Sequence, residues 1–122
     1  MPALGYKKQF AQPIRDGWKR TTIRQERKKN PIRVGDTLHM FTGMRTKQCE
    51  KIGMYRCKSV RPIIIEPKKK FITLDGHPCS ELAIQGIVHG DGFSSVDAFF
   101  AFFEQNYGAT PPPMVLIGFE PF

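Results

Sequence analysis

The sequence predicts a single α+β domain, and three observations predict it. The chain has 122 residues and 13.9 kDa, enough for one compact core and too short for separate catalytic and substrate domains. It carries 11 glycines and 10 prolines, above the usual combined share of roughly 12%, with 40% apolar and 11% aromatic residues. That composition favours a turn-rich β-containing fold over a helical bundle or a disordered chain. Finally, the apolar period changes along the chain: short β-branched runs fill the first 75 residues, and a phenylalanine stripe at helical spacing follows.

The elements read in order as follows. Lys7 to Phe10 reads as a short strand and Ala11 to Asp16 as a brief helix or turn, which Gly17 stops because glycine accepts positive φ. Thr21 to Arg24 is a second strand. A charged loop from Gln25 to Asn30 leads through Pro31 to a Gly35-Asp36 turn, which starts the strand Thr37 to Thr42. Beyond a loop at Gly43 to Lys47, residues 48–66 alternate loosely and end in Val60-Arg61-Pro62-Ile63-Ile64-Ile65, where the proline calls for an edge or a bulge. Phe71 to Leu74 is another strand, closed by Asp75-Gly76. Ser80 to Val88 fits a short helix with Leu82, Ala83, Gly86 and Ile87 on one face. Ser95 to Tyr107 fits a stronger one, with Val96, Phe99, Phe100, Phe103 and Tyr107 recurring at helical spacing, Ser94 and Asp97 as a capping-box pair, and Gly108 as the stop. Pro111-Pro112-Pro113 forces an extended link into a closing strand, Met114 to Phe119. No repeat and no second domain is expected within residues 1–122.

Charge is distributed very unevenly. All 19 lysines and arginines lie in residues 1–70 with five acids; residues 71–122 hold six acids and no basic residue, so the segments carry +14 and −6 and the chain +8. A polarised surface of this kind attracts phosphates through counterion release, the alternative being charge that only keeps a small protein in solution. No apolar run approaches the ~18 residues of a membrane span, and the first residues lack a signal-peptide core. Cys49, Cys57 and Cys79 are odd in number and match neither a disulfide framework nor a zinc knuckle. The expectation is a cytoplasmic, membrane-independent protein with reduced thiols, a monomer by preference.

Signatures of nucleotide cofactors, metalloprotease helices and nucleophile elbows are absent, so no cofactor is expected. His39, His77 and His89 are too scattered for a metal site. The informative stretch is Gly17-Trp18-Lys19-Arg20-Thr21-Thr22-Ile23-Arg24. On a strand Thr22 and Arg24 share a face, and a cation, a hydroxyl and a guanidinium together suit a phosphate or a polarised carbonyl; by spacing alone a solvated strand fits as well. Trp18 and Tyr55 are candidates to stack on bases. Arg20, Arg24, Arg27, Lys28, Lys29, Arg45 and Lys47 are candidates to line a phosphate path, or else form solvated basic loops.

The pattern Gly17-x-Lys19-x-x-Thr22-Ile23-Arg24, then Val34-Gly35-Asp36-x-Leu38, then Asp91-Gly92-Phe93-Ser94-Ser95-x-Asp97-x-Phe99-Phe100, resembles the ASCH domain of the PUA-like superfamily over residues 7 to 119. The block Phe41 to Cys49 is similar to the form found in phages and prophages. The resemblance implies a small PUA-like β-barrel of five to six mixed strands, with one or two helices packed across an open end. It also implies a module that binds RNA or modified nucleosides. Some relatives are amidohydrolases that deacetylate N4-acetylcytidine with a Lys, a Thr and a Glu, and another is a ribonuclease. The three positions fall on Lys19, Thr22 and Asp91, the last one methylene short of Glu, and a misplacement of ~1 Å costs about a hundredfold in rate. In that scheme Thr22 is the nucleophile, Lys19 its base if burial and Arg24 lower its pKa, and Asp91 orients the amide or protonates the leaving amine. Asp91 also fits a plain turn before Gly92. A phage protein-interaction module is the remaining alternative.

Overall fold

The computed structural model describes residues 2–122. Seven strands and three helices follow one another as β1 (Ala3–Tyr6), α1 (Ala11–Asp16), β2 (Thr21–Arg24), β3 (Thr37–Thr42), β4 (Glu50–Glu66), β5 (Phe71–Leu74), β6 (His77–Pro78), α2 (Glu81–Gly90), α3 (Val96–Tyr107) and β7 (Met114–Pro121). The fold is mixed α+β, and no helix of the described residues is long and apolar enough to cross a membrane.

The long strand β4 organises the sheet. Its first half pairs antiparallel with β3, its middle with β7 and its last residues with β5. β3 pairs in parallel with β1, and β7 pairs antiparallel with β2, with Thr22 opposite Ile117. The run β2-β7-β4-β3-β1 therefore ends in two strands that do not pair with each other, so the sheet is open where the family resemblance implied a barrel. Side chains bridge the gap instead. Arg24 donates to Gly5 O (2.6 Å) and Arg27 to Ala3 O (3.1 Å), so two β1 carbonyls take guanidinium groups where a closed barrel would offer backbone N–H.

Several expectations about elements need correction. The first strand is Ala3–Tyr6, because Leu4 and Tyr6 alternate into the core beside β3. Residues 8–10 form a 3-10 turn that drops the Phe10 ring against Phe93 at 5.3 Å. Register shifts fall at Met40/Phe41 and Cys57/Ser59, while Pro62 stays in β4, its carbonyl receiving the Asp75 N–H (2.9 Å). The inner face of α2 is Ile84 and Val88, with Leu82 78% exposed, because α2 packs beside α3 and turns a face other than the expected stripe to the core. Ser95, not Ser94, caps α3 by accepting from Ala98 N (3.1 Å).

The aromatic stripe of α3 supplies much of the core. Phe99, Phe100 and Phe103 are at most 2% exposed, and Phe99 and Phe103 pack at 4.8 Å; each such ring contributes roughly 1.5–3 kcal/mol through burial. Phe99→Ala should lower the unfolding free energy by about 3–5 kcal/mol, whereas Leu82→Ala on the outer face of α2 should change it by less than about 0.5 kcal/mol. Denaturant titration of the two variants checks both, and equal losses would refute the assigned face of α2.

Candidate functional site

The site begins at Gly17, whose φ of +85° ends α1 in the left-handed region. The turn returns the Lys19 N–H to Pro13 O (3.1 Å) and sets Arg20 between two elements: its N–H donates to Gly90 O (2.6 Å), and its carbonyl accepts from Phe119 N (3.0 Å). The backbone of residues 18–20 is thereby fixed between the end of α2 and β7. This sends the Lys19 side chain inward, where it is 3% exposed.

Asp91 arrives from the opposite direction. It is the C-cap of α2, with Gly92 at φ +92°, the Gly92 N–H on His89 O (3.1 Å) and the Phe93 N–H on Val88 O (3.1 Å). This is a Schellman arrangement, and its αL position favours glycine. Glycine is required here for a second reason: a Cβ on Gly92 would lie 2.9 Å from Lys19 Cδ.

The two residues meet in a buried ion pair. Lys19 Nζ donates to Asp91 O (2.5 Å), Asp91 Oδ1 (3.3 Å) and Thr21 O (2.9 Å), and it stands 4.6 Å from the centroid of the Phe10 ring. Those three acceptors match the three ammonium protons. Thr21 Oγ1 donates to Asp91 Oδ1 as well (3.1 Å). Burial pulls the Lys19 pKa down, with Asp91 opposing and Arg24 adding a smaller push downward. Burial pushes the Asp91 pKa up to about 6 against the pull of Lys19.

Lys19, Thr22, Arg24 and Asp91 all line one cavity of about 250 Å³ at the open seam between β1 and β2. Its apolar walls come from Tyr6, Phe10, Phe93, Phe102 and Phe103. Thr22 Oγ1 accepts from Arg24 Nε (3.2 Å), and the Arg24 guanidinium lies 4.7 Å above the Tyr6 ring. Lys19 donates no hydrogen bond to Thr22 among the described residues, so the expected base and nucleophile share a cavity without touching. The Tyr6 hydroxyl is buried and closes no full hydrogen bond among the described residues; burial raises its pKa against the opposing pull of Arg24 and Thr22 beside it.

The other candidates lie elsewhere. Trp18 lines an adjoining depression with Gly92 and Ser94. Arg20 and Tyr55 border a groove floored by Phe119 and Met54, with the Tyr55 ring edge-on to Phe119 at 5.3 Å. Arg27 is committed to Ala3 O, Lys28 and Lys29 are exposed in the loop before Pro31, and Arg45 and Lys47 are exposed beyond β3. Tyr6, Thr21 and Phe102 escaped the sequence reading; for Tyr6 the Leu4/Tyr6 alternation was the available signal. No three of His, Cys, Asp and Glu gather as a metal group among the described residues.

Fold and site together define a small mixed α+β protein with an aromatic-walled polar cavity at an unclosed sheet seam. Its fold is similar to the crystal structure of protein EF3133 from Enterococcus faecalis V583, of the family DUF984, with a TM-score of 0.62 and 13% identity over 98% of this chain and 79% of that one. At that identity the likeness concerns the fold alone. No family model and no curated protein matches the chain.

Two outcomes follow from the site. Tyr6→Phe removes an unpaired buried hydroxyl, a group that costs about 1–3 kcal/mol when unsatisfied, so the variant's thermal midpoint should equal or exceed the wild type's; a clear drop would mean that the hydroxyl has a structural partner. Asp91 with a folded pKa near 6 binds more protons folded than unfolded, where carboxyls titrate near ~3.9. Its contribution to stability is therefore full below about pH 4 and lost as pH rises through about 6. The midpoint of the wild type minus that of Asp91→Asn should fall across this window, and a difference that stays flat would place the titration at the ordinary value.

Proposed function

We propose that the chain is an RNA-binding or modified-nucleoside-binding module of the ASCH, PUA-like kind, its open sheet being a PUA-like barrel parted at the β1/β2 seam. The observation that carries this reading is the seam cavity. At about 250 Å³ it lies just below the roughly 300–1,000 Å³ of drug-sized ligand sites, a scale suited to a base or a nucleoside. Aromatic rings form its walls, as base recognition requires. Its polar groups converge from three elements, and the +8 chain supplies the long-range attraction for a polyanion.

A second reading, hydrolysis of N4-acetylcytidine, draws on one observation: Asp91 at about 6 and a lowered Lys19 form the kind of perturbed pair common in catalytic sites. The proton inventory favours recognition. The three ammonium protons of Lys19 are engaged, so it has no free lone pair for the Thr22 proton, and Asp91 Oδ1 already receives Lys19 and Thr21. Catalysis would require Lys19 to shed a proton and turn toward Thr22.

The expected outcome is micromolar binding of single-stranded RNA at low salt that weakens steeply at moderate salt, with no release of acetate from N4-acetylcytidine. Turnover that disappears in Lys19→Ala would establish the hydrolase reading instead. Absence of binding to RNA and to nucleosides at both salt concentrations, measured by fluorescence anisotropy and calorimetry, would refute the module.

A further inference from the structure

The seam cavity does not stand alone. A depression of about 560 Å³ adjoins it, and Lys7, Phe10, Phe93 and Phe102 line both. The outer wall of this depression is Trp18, whose side chain is large and apolar yet leaves the residue 46% exposed. The backbone hydrogen bonds of Lys19 and Arg20 fix the chain on one side of Trp18, so the indole is presented from a rigid base. No acidic residue lines the depression, and its polar edges are Gln9, Ser94 and Gln105. Lys7 marks the boundary, with Nζ 4.9 Å from the centroid of the Phe102 ring and the side chain exposed.

We infer that the ligand is an RNA strand and not a free nucleoside: one base occupies the seam cavity, the neighbouring nucleotide stacks on Trp18 in the adjoining depression, and the phosphate between them meets the Lys7 ammonium. The inference rests on the reading of the cavity as a base site and adds a second subsite, its ligand class and a phosphate contact. The chemistry is that of single-strand binders, in which aromatic platforms take successive bases and cations track the backbone. A free nucleoside would leave both the exposed indole and the boundary lysine unused. An acidic peptide would meet the lysine but would have little need of a flat aromatic platform beside an aromatic-walled hole.

Trp18 is the only tryptophan in the chain, so its emission reports this subsite directly. The experiment compares the four ribonucleosides and N4-acetylcytidine, by calorimetry and tryptophan fluorescence, with RNA pentanucleotides carrying each of those bases at the centre. The nucleoside that binds should leave Trp18 emission unchanged. The matching pentanucleotide should quench it and bind at least about tenfold more tightly. Trp18→Ala should weaken the pentanucleotide about tenfold, read by anisotropy of labelled RNA, and leave the nucleoside affinity and the thermal midpoint as they were. Lys7→Ala should reduce the salt dependence of pentanucleotide binding by about one phosphate contact. Equal affinities for nucleoside and pentanucleotide with silent Trp18 emission would overturn the second subsite and leave the cavity reading standing. Failure of every nucleoside and pentanucleotide to bind would overturn both.

Discussion

The ion pair between Lys19 and Asp91 is the constraint on which the site depends. Removing two charges from water costs several kcal/mol per ion, and the cost is met only where geometry and extra hydrogen bonds are good. Here one ammonium group satisfies the side chain of Asp91, the main-chain carbonyl of the same residue and the carbonyl of Thr21. An aspartate at a helix C-terminus opposes the helix dipole, and the lysine offsets the carboxylate's charge. The pair thus joins the end of α2 to the start of β2, two segments separated by some seventy residues, and places a polar floor under an aromatic cavity. Gly92 belongs to the same constraint, since both its left-handed φ and the approach of the Lys19 stem exclude a side chain there.

The cavity lies at the seam because β1 and β2 do not pair. Two paired strands would stand about 4.8 Å apart and leave no space for a ligand; unpaired, they admit side chains from both edges. The open edge of β1 still carries carbonyls that need donors, and Arg24 and Arg27 provide them. Arg24 combines three roles through the flat geometry of its guanidinium: it donates to Gly5 O, donates to Thr22 Oγ1 and covers the face of Tyr6. A lysine could not reproduce these contacts with one point charge. The seam is therefore held at a fixed width by side chains that also line the cavity, so fold and site share the same groups.

Elements governed by local chemistry were readable in the sequence. α1, β2, β3 and β5 have the bounds that the turn residues and β-branched runs suggested, and Gly17 and Gly108 stop their helices at positive φ. What escaped depends on partners distant in the chain. Ala3–Tyr6 is a strand because β3 offers a parallel edge, which the Leu4/Tyr6 alternation alone does not specify, and the α2 face is set by the core it shares with α3. The same division holds at the site. Lys19, Thr22, Arg24 and Asp91 share one cavity; residue chemistry pointed to Lys19, Thr22 and Arg24, and only the family resemblance to Asp91. Tyr6 and Thr21 were missed because their roles come from a seam and a helix end that meet only in three dimensions.

That division also bears on what the cavity asks of a ligand. Lys19 is saturated by acceptors, and Asp91 Oδ1 receives two donors, so the ion pair holds the floor without offering its ammonium protons. Thr22 Oγ1 accepts from Arg24 and retains its own proton to donate. The Tyr6 hydroxyl is buried beside Thr22 and Arg24 without closing a full hydrogen bond among the described residues, and a buried donor left unpaired is costly until something accepts from it. Two hydroxyl groups and a guanidinium therefore stand together on one side of the cavity. Under the proposed function, a base edge bound there would present a carbonyl or ring nitrogen as acceptor to this cluster, its plane held between the aromatic walls. Under that proposal, recognition needs only the resting hydrogen-bond pattern, whereas bond cleavage would first require Lys19 to lose a proton and its contacts to be broken.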